Sequence, residues 1–140
     1  MTITTLIFHE INQTSRLTIK EVNETLKEFG LYSAQWSILF CLNRFGSMTQ
    51  TEIQSYLHVE APTITRTLVK LEDRKLISRL AGKDKRERTV HLTNEAESLI
   101  PQIKSRVDLI EKKMLASLSK VELQQLSLLK KVGVCIDHED

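Results

Sequence analysis

Apolar positions along this chain recur at helical spacing over most of its length and alternate with polar ones over a short stretch near residues 76–92. Ile7, Ile11, Val22, Leu26 and Phe29 fall among the apolar positions of a first helix from Ile3 to Phe29, and Gly30 is its stop. Trp36, Leu39 and Phe40 share one side of a second helix. Thr49 and Glu52 then stand at capping-box spacing, where each satisfies a free amide of the other's turn, and Ile53 and Leu57 supply a buried side to the helix that follows. Leu57 to Glu60 is a brief connection without glycine. It leads into a helix whose first turn holds Pro62, a position that needs no amide donor.

On that fourth helix Ile64, Leu68 and Leu71 share one side, while Thr63, Arg66, Thr67 and Lys70 follow the i, i+3, i+4, i+7 series on another. Leu76 to Leu80 reads as an outgoing strand, Gly82 supplies a residue able to turn with positive φ, and Val90 and Leu92 alternate with polar neighbours in the return strand. Thr93 is an N-cap candidate for a long helix toward Ala116. Its apolar stripe comprises Ala96, Leu99, Ile103, Val107, Ile110, Met114 and Leu118, and Pro101 predicts a kink over Glu97 to Pro101. A second capping box, Ser119 with Glu122, opens a last helix with a Leu118 to Leu123 staple. Its face of Leu123, Leu126, Leu129 and Val132, followed by Val134 and Ile136, is too apolar for a lone exposed tail.

The order helix, turn, basic helix, charged hairpin is that of a winged helix-turn-helix. The expected fold is therefore mainly α with a small β-hairpin, the winged part over residues 31–93 and a helical dimerisation region from residues 1–30 and 94–140. In a monomer the terminal helices have little to bury against beyond each other, so an isologous homodimer through Ile7, Ile11, Leu118, Leu123, Leu126, Leu129 and Val132 is expected.

Charge sharpens the picture. Residues 61–93 hold nine Lys or Arg against four acids, a net +5, whereas the whole chain is +2, which leaves −3 elsewhere. One surface is thus prepared for phosphates. Hydroxyls interleaved with cations on the fourth helix suit a major groove, with Thr63 and Arg66 reading base edges and Lys70 gripping the backbone. The alternative, a solvated charged loop and ordinary surface threonines, stays open for each element taken singly. All seven aromatics precede residue 57, so the basic segment carries no stacking platform for single strands, and double-stranded DNA is favoured.

Along nearly its whole length the chain resembles the MarR family of bacterial regulators. The resemblance rests on Gln35-Trp36 with Leu39 and Leu42, Thr49 to Ile53, Pro62 to Arg66, Leu71-Glu72, and above all D-K-R-E-R-T-V-H-L-T from Asp84 to Thr93. It implies a dimer joined by first and last helices that reads a near-palindromic operator; a repressor role is expected, and activation is the alternative the residues leave open. It also implies that Arg86 enters the minor groove and that Asp84 supports it, with Lys83, Lys85 and Arg88 attracting phosphates. The full candidate DNA-contacting set adds Thr49, Gln50, Pro62, Thr65 and Thr67. A small aromatic or anionic effector is implied at the junction of the two regions, where Phe8, Tyr32 and Trp36 are the candidates. The family commonly has glycine where this chain has Lys75, so a left-handed Lys75 would carry a conformational cost.

Other classes receive little support. The four histidines are scattered, there is no G-x-S-x-G elbow or glycine-rich phosphate loop, and no metal or cofactor is expected. Cys41 and Cys135 are far apart and suggest neither a disulfide nor zinc, and Cys41 reads as a small buried hydrophobe. A basic leader and a long apolar run are both lacking, so the expected place is the cytoplasm, with no membrane partner. The rival readings are a winged-helix module that binds protein and, more remotely, an enzyme.

Overall fold

The computed structural model describes residues 2–81 and 88–136. Helix α1 spans Ile3–Leu26 and passes through a 3-10 turn, Lys27–Phe29, to Gly30, whose φ of 66° ends it. Helix α2 (Ser33–Phe45) is tied to α1 at its start, because the Asn23 carboxamide accepts the Ser33 amide at 2.7 Å. Next come β1 (Met48–Thr49), α3 (Gln50–Leu57), α4 (Ala61–Asp73), β2 (Ile77–Ala81), β3 (Arg88–Leu92), α5 (Asn94–Met114) and α6 (Lys120–Leu126), with a 3-10 turn over Ser127–Lys131. The helix starts follow the capping chemistry. The Thr49, Thr93 and Ser119 hydroxyls accept the amides of Glu52, Ala96 and Glu122 at 3.1, 3.2 and 3.1 Å.

The expected hairpin is part of a three-stranded antiparallel sheet in the order β1-β3-β2. Val90 pairs with Met48 on one side and Arg79 on the other. His91 braces this sheet: its Nδ1 meets the Ser47 hydroxyl and its Nε2 meets Thr89 Oγ1 at 2.7 Å. The expected turn at Gly82, together with Lys83, Asp84, Lys85, Arg86 and Glu87, lies outside the described residues.

One apolar cluster runs through both expected regions, from Leu26 and Leu31 through Ile38, Leu39, Ile53, Leu68 and Leu71 to Val90, Ile100, Ile103 and Val107. Each such buried aliphatic side chain contributes about 1.5–3 kcal/mol, so this cluster dominates the stabilisation. Two features of the C-terminal half are local. Helix α5 runs unbroken through Pro101; Pro101 and Glu97 are both exposed, so water can take the carbonyl bond the proline cannot donate. The last helix is shorter than its periodicity suggests, since α6 ends at Leu126 and Leu129 sits on the 3-10 turn.

Helix α4 closes with a double hydrogen bond: the Leu76 amide reaches the Leu71 carbonyl at 3.0 Å and the Lys75 amide reaches Glu72 at 2.9 Å. That closure forces Lys75 to φ 60°, the left-handed conformation that costs a side chain about 1–2 kcal/mol. The Thr93 hydroxyl donates to the Lys75 carbonyl at 2.7 Å and holds it there. His58, with φ 55°, plays the corresponding part after α3, which explains how the turn of the motif forms without glycine.

Candidate nucleic-acid interface

The surface that α4 offers to solvent is rotated from the one its polar residues suggest. Pro62, Thr65, Arg66, Val69 and Lys70 are exposed, Thr63 is half-buried, and Thr67 is buried against the core. Thr67 is therefore corrected from a groove-facing residue to a packing residue. Its hydroxyl donates to the Thr63 carbonyl at 2.9 Å, which satisfies it inside the protein and leaves it nothing to read with. A threonine presents a methyl to a core as readily as a hydroxyl to water, so polarity alone placed it on the wrong side.

Val69 is the residue that polarity missed. It is 45% exposed one turn after Arg66, on the Thr65 side of the cationic face, where an apolar side chain can meet a thymine methyl group. The available signal was its spacing of i+3 from Arg66 and i+7 from Pro62, obscured by its hydrophobic character.

Helices α3 and α4 are locked together at this surface. Gln50, the first residue of α3, donates through Nε2 to Thr65 Oγ1 at 2.7 Å, and the Thr65 hydroxyl donates to the Ala61 carbonyl at 2.9 Å. The Thr49 hydroxyl is engaged by the cap, so only part of that residue faces outward. Arg66 lies along the helix with Nη2 3.3 Å from the Thr63 hydroxyl, a single hydrogen bond among the described residues that uses one of its five donors. Arg88 is exposed at the start of β3, opposite Ala81. The wing strand is held to α4 through Arg79, whose Nε approaches Glu72 Oε2 at 3.5 Å. Lys83, Asp84, Lys85 and Arg86 lie outside the described residues, so no geometry is assigned to them.

The effector trio is not brought together within one chain. Trp36 is 7% exposed and packed in the core, while Tyr32 and Phe8 are exposed. Phe8 lies 18 residues before Leu26 on the single helix α1, roughly 27 Å at 1.5 Å per residue, so it cannot share a pocket with Tyr32 at the opposite end. A cleft of about 320 Å³ lies instead between α1 and α5, lined by Glu24, Thr25, Glu28, Arg106, Leu109, Ile110 and Lys113. Cys41 is buried, and that burial pushes its thiol above the ordinary cysteine range, away from thiolate chemistry. Among the described residues no group of three or more His, Cys, Asp or Glu is placed to hold a metal, and no helix is long and apolar enough to cross a membrane.

Comparison with known proteins agrees with this architecture. Residues 31–87 match the MarR family model. The chain is 51% identical over 110 residues to the uncharacterized HTH-type transcriptional regulator YwoH of Bacillus subtilis, covering 79% of this chain and 80% of that protein. Among solved structures, a mutant MarR from E. coli complexed with operator DNA superposes with a TM-score of 0.83 at 24% identity, over 95% of this chain and 99% of that one. A MarR-family regulator from Rhodococcus sp. RHA1 superposes with a TM-score of 0.87 at 18% identity, over 99% of both chains. With its helix-turn-helix, its wing strands and its long flanking helices, the chain belongs to the MarR family of transcriptional regulators, and it is not an enzyme.

Proposed function

We propose that this regulator is a cytoplasmic homodimer that represses transcription by binding a near-palindromic double-stranded operator. The observation that carries the reading is the exposed face Pro62, Thr65, Arg66, Val69 and Lys70 on α4, buttressed by Gln50, with Arg88 exposed on the wing strand. It combines the donors, cations and apolar contact that duplex readout requires. The E. coli relative complexed with operator DNA supports it. In this reading α4 lies in the major groove. Arg86 enters the adjacent minor groove with Asp84 holding it, while Lys83, Lys85 and Arg88 attract phosphates. The division into residues 31–93 for DNA and residues 1–30 with 94–140 for dimerisation follows the same reading.

The test is binding to DNA upstream of its own coding sequence across a salt titration. Specific affinity should fall steeply with salt as counterions are released, and Arg86→Ala should weaken it while leaving circular dichroism and dimerisation unchanged. Asp84→Ala removes a negative charge, so weaker binding in that variant would mean that positioning outweighs repulsion. Equal binding by both variants and the parent at every salt concentration removes the wing from the reading surface.

The α1–α5 cleft is the place we assign to a small aromatic or anionic effector. Leu109 and Ile110 supply apolar contact, and Lys113 supplies a cation. A small aromatic carboxylate such as benzoate should weaken operator binding by the parent and have less effect on Lys113→Ala. An identical response in the two proteins places the effector elsewhere.

A further inference from the structure

The end of the recognition helix is fastened to the end of α1 by one side chain. Arg74, immediately after Asp73, donates through Nη1 to the Gly30 carbonyl at 2.8 Å and through Nη2 to the Phe29 carbonyl at 3.0 Å. These two carbonyls lie 44 and 45 residues away in sequence, at the point where the first helix terminates. Helix ends leave carbonyls without intrahelical partners, and their partial negative charge attracts a cation. Gly30 takes the left-handed φ of 66° that ends the turn and presents these carbonyls to the guanidinium. The same turn is held from another side, with Arg106 Nε of α5 3.4 Å from Glu28 Oε1.

We infer that Arg74 is a positioning residue that sets the placement of the recognition helix relative to the long flanking helices, and so the half-site spacing that the dimer accepts. The inference rests on the proposed reading of a dimer on duplex DNA. In such a dimer the distance between the two recognition helices is transmitted through each chain's joint between α4 and α1. The apolar core fills that joint but resists sliding weakly, because its contacts are non-directional. A planar two-pronged guanidinium clamp on two fixed carbonyls is directional, and an ammonium cannot reproduce it. One base pair of spacing shifts a half-site by about 3.4 Å and rotates it by about a tenth of a turn, enough for a loosened joint to register.

The experiment uses the full chain and duplexes selected by the parent from a randomised pool, remade with one base pair added or removed between the half-sites. Arg74→Ala and Arg74→Lys should both remain folded dimers, lose about tenfold in affinity for the selected spacing, and lose most of the parent's discrimination against the altered spacings. Their affinity for random duplex and the slope of binding against salt should match the parent. Rescue by Arg74→Lys, or a shallower salt slope in Arg74→Ala, would make Arg74 a phosphate contact and overturn the inference. So would parental spacing discrimination in both variants. If Arg74→Ala fails to fold, Arg74→Lys decides by the same criteria. A parent that selects no paired half-sites would instead overturn the underlying dimeric reading, which separates the two failures.

Discussion

Leu126→Glu is expected to give a protein that sediments as a monomer and has lost operator affinity by about a hundredfold or more. In the single chain Leu126 is 42% exposed, beside Leu123, Leu129 and Val132, and across α1 Ile7 is exposed too. A groove of about 370 Å³ separates the two elements, lined by Glu10, Ile11, Thr14, Ser15, Thr18, Leu126 and Leu129. Leu118, half-buried, continues the apolar surface beyond the end of α5. An apolar area of this extent calls for a covering partner. A second copy of the chain is the occupant that the proposed dimer supplies, and an unpaired carboxylate buried there would oppose association. Separation of the two DNA-binding units then removes the benefit of simultaneous engagement, which is commonly a factor of about 10²–10⁴. The measurement is sedimentation together with a binding isotherm. A Leu126→Glu dimer with parental affinity would take this residue out of the interface.

Arg66→Ala should reduce binding to the cognate operator by about 1–3 kcal/mol and relax preference at the base pair it reads, with little change on random DNA. Arg66 is exposed at the centre of the α4 face and, among the described residues, is held by the Thr63 hydroxyl alone, so its removal leaves the core intact. Lys70→Ala is the contrasting variant. It should weaken cognate and random duplex alike and lower the salt slope by about one for each copy of the chain. Competition binding with single-base operator variants distinguishes the two. An unchanged sequence preference in Arg66→Ala would end its assignment as a reading residue.

Several features were legible because they are local. Capping at Thr49, Thr93 and Ser119 and the stop at Gly30 depend on a few neighbouring residues, and each is present in the structure, as is the left-handed Lys75 that the family resemblance raised. The amphipathic period of α4 was legible as well, since Ile64, Leu68 and Leu71 are all buried. Strand β1 escaped notice because Met48–Thr49 is too short to show alternation, and it becomes a strand only by pairing with β3. Thr67 was misplaced, and Val69 missed, for a related reason. A helix face that is wide enough to touch α2, α3 and the sheet has boundaries set by those neighbours, not by side-chain polarity.

By itself the sequence determined the order of the helices and of the two wing strands, the starts of most of them, and the concentration of positive charge over residues 61–93. These follow from backbone hydrogen bonding, side-chain period and charge, which act over a few residues. Only the tertiary structure decided that Thr67 turns inward while Val69 faces out, and that Arg74 clasps carbonyls 44 and 45 residues away. Such placements depend on how rigid helices pack against one another, and a pattern read along the chain does not contain the distance between two helices.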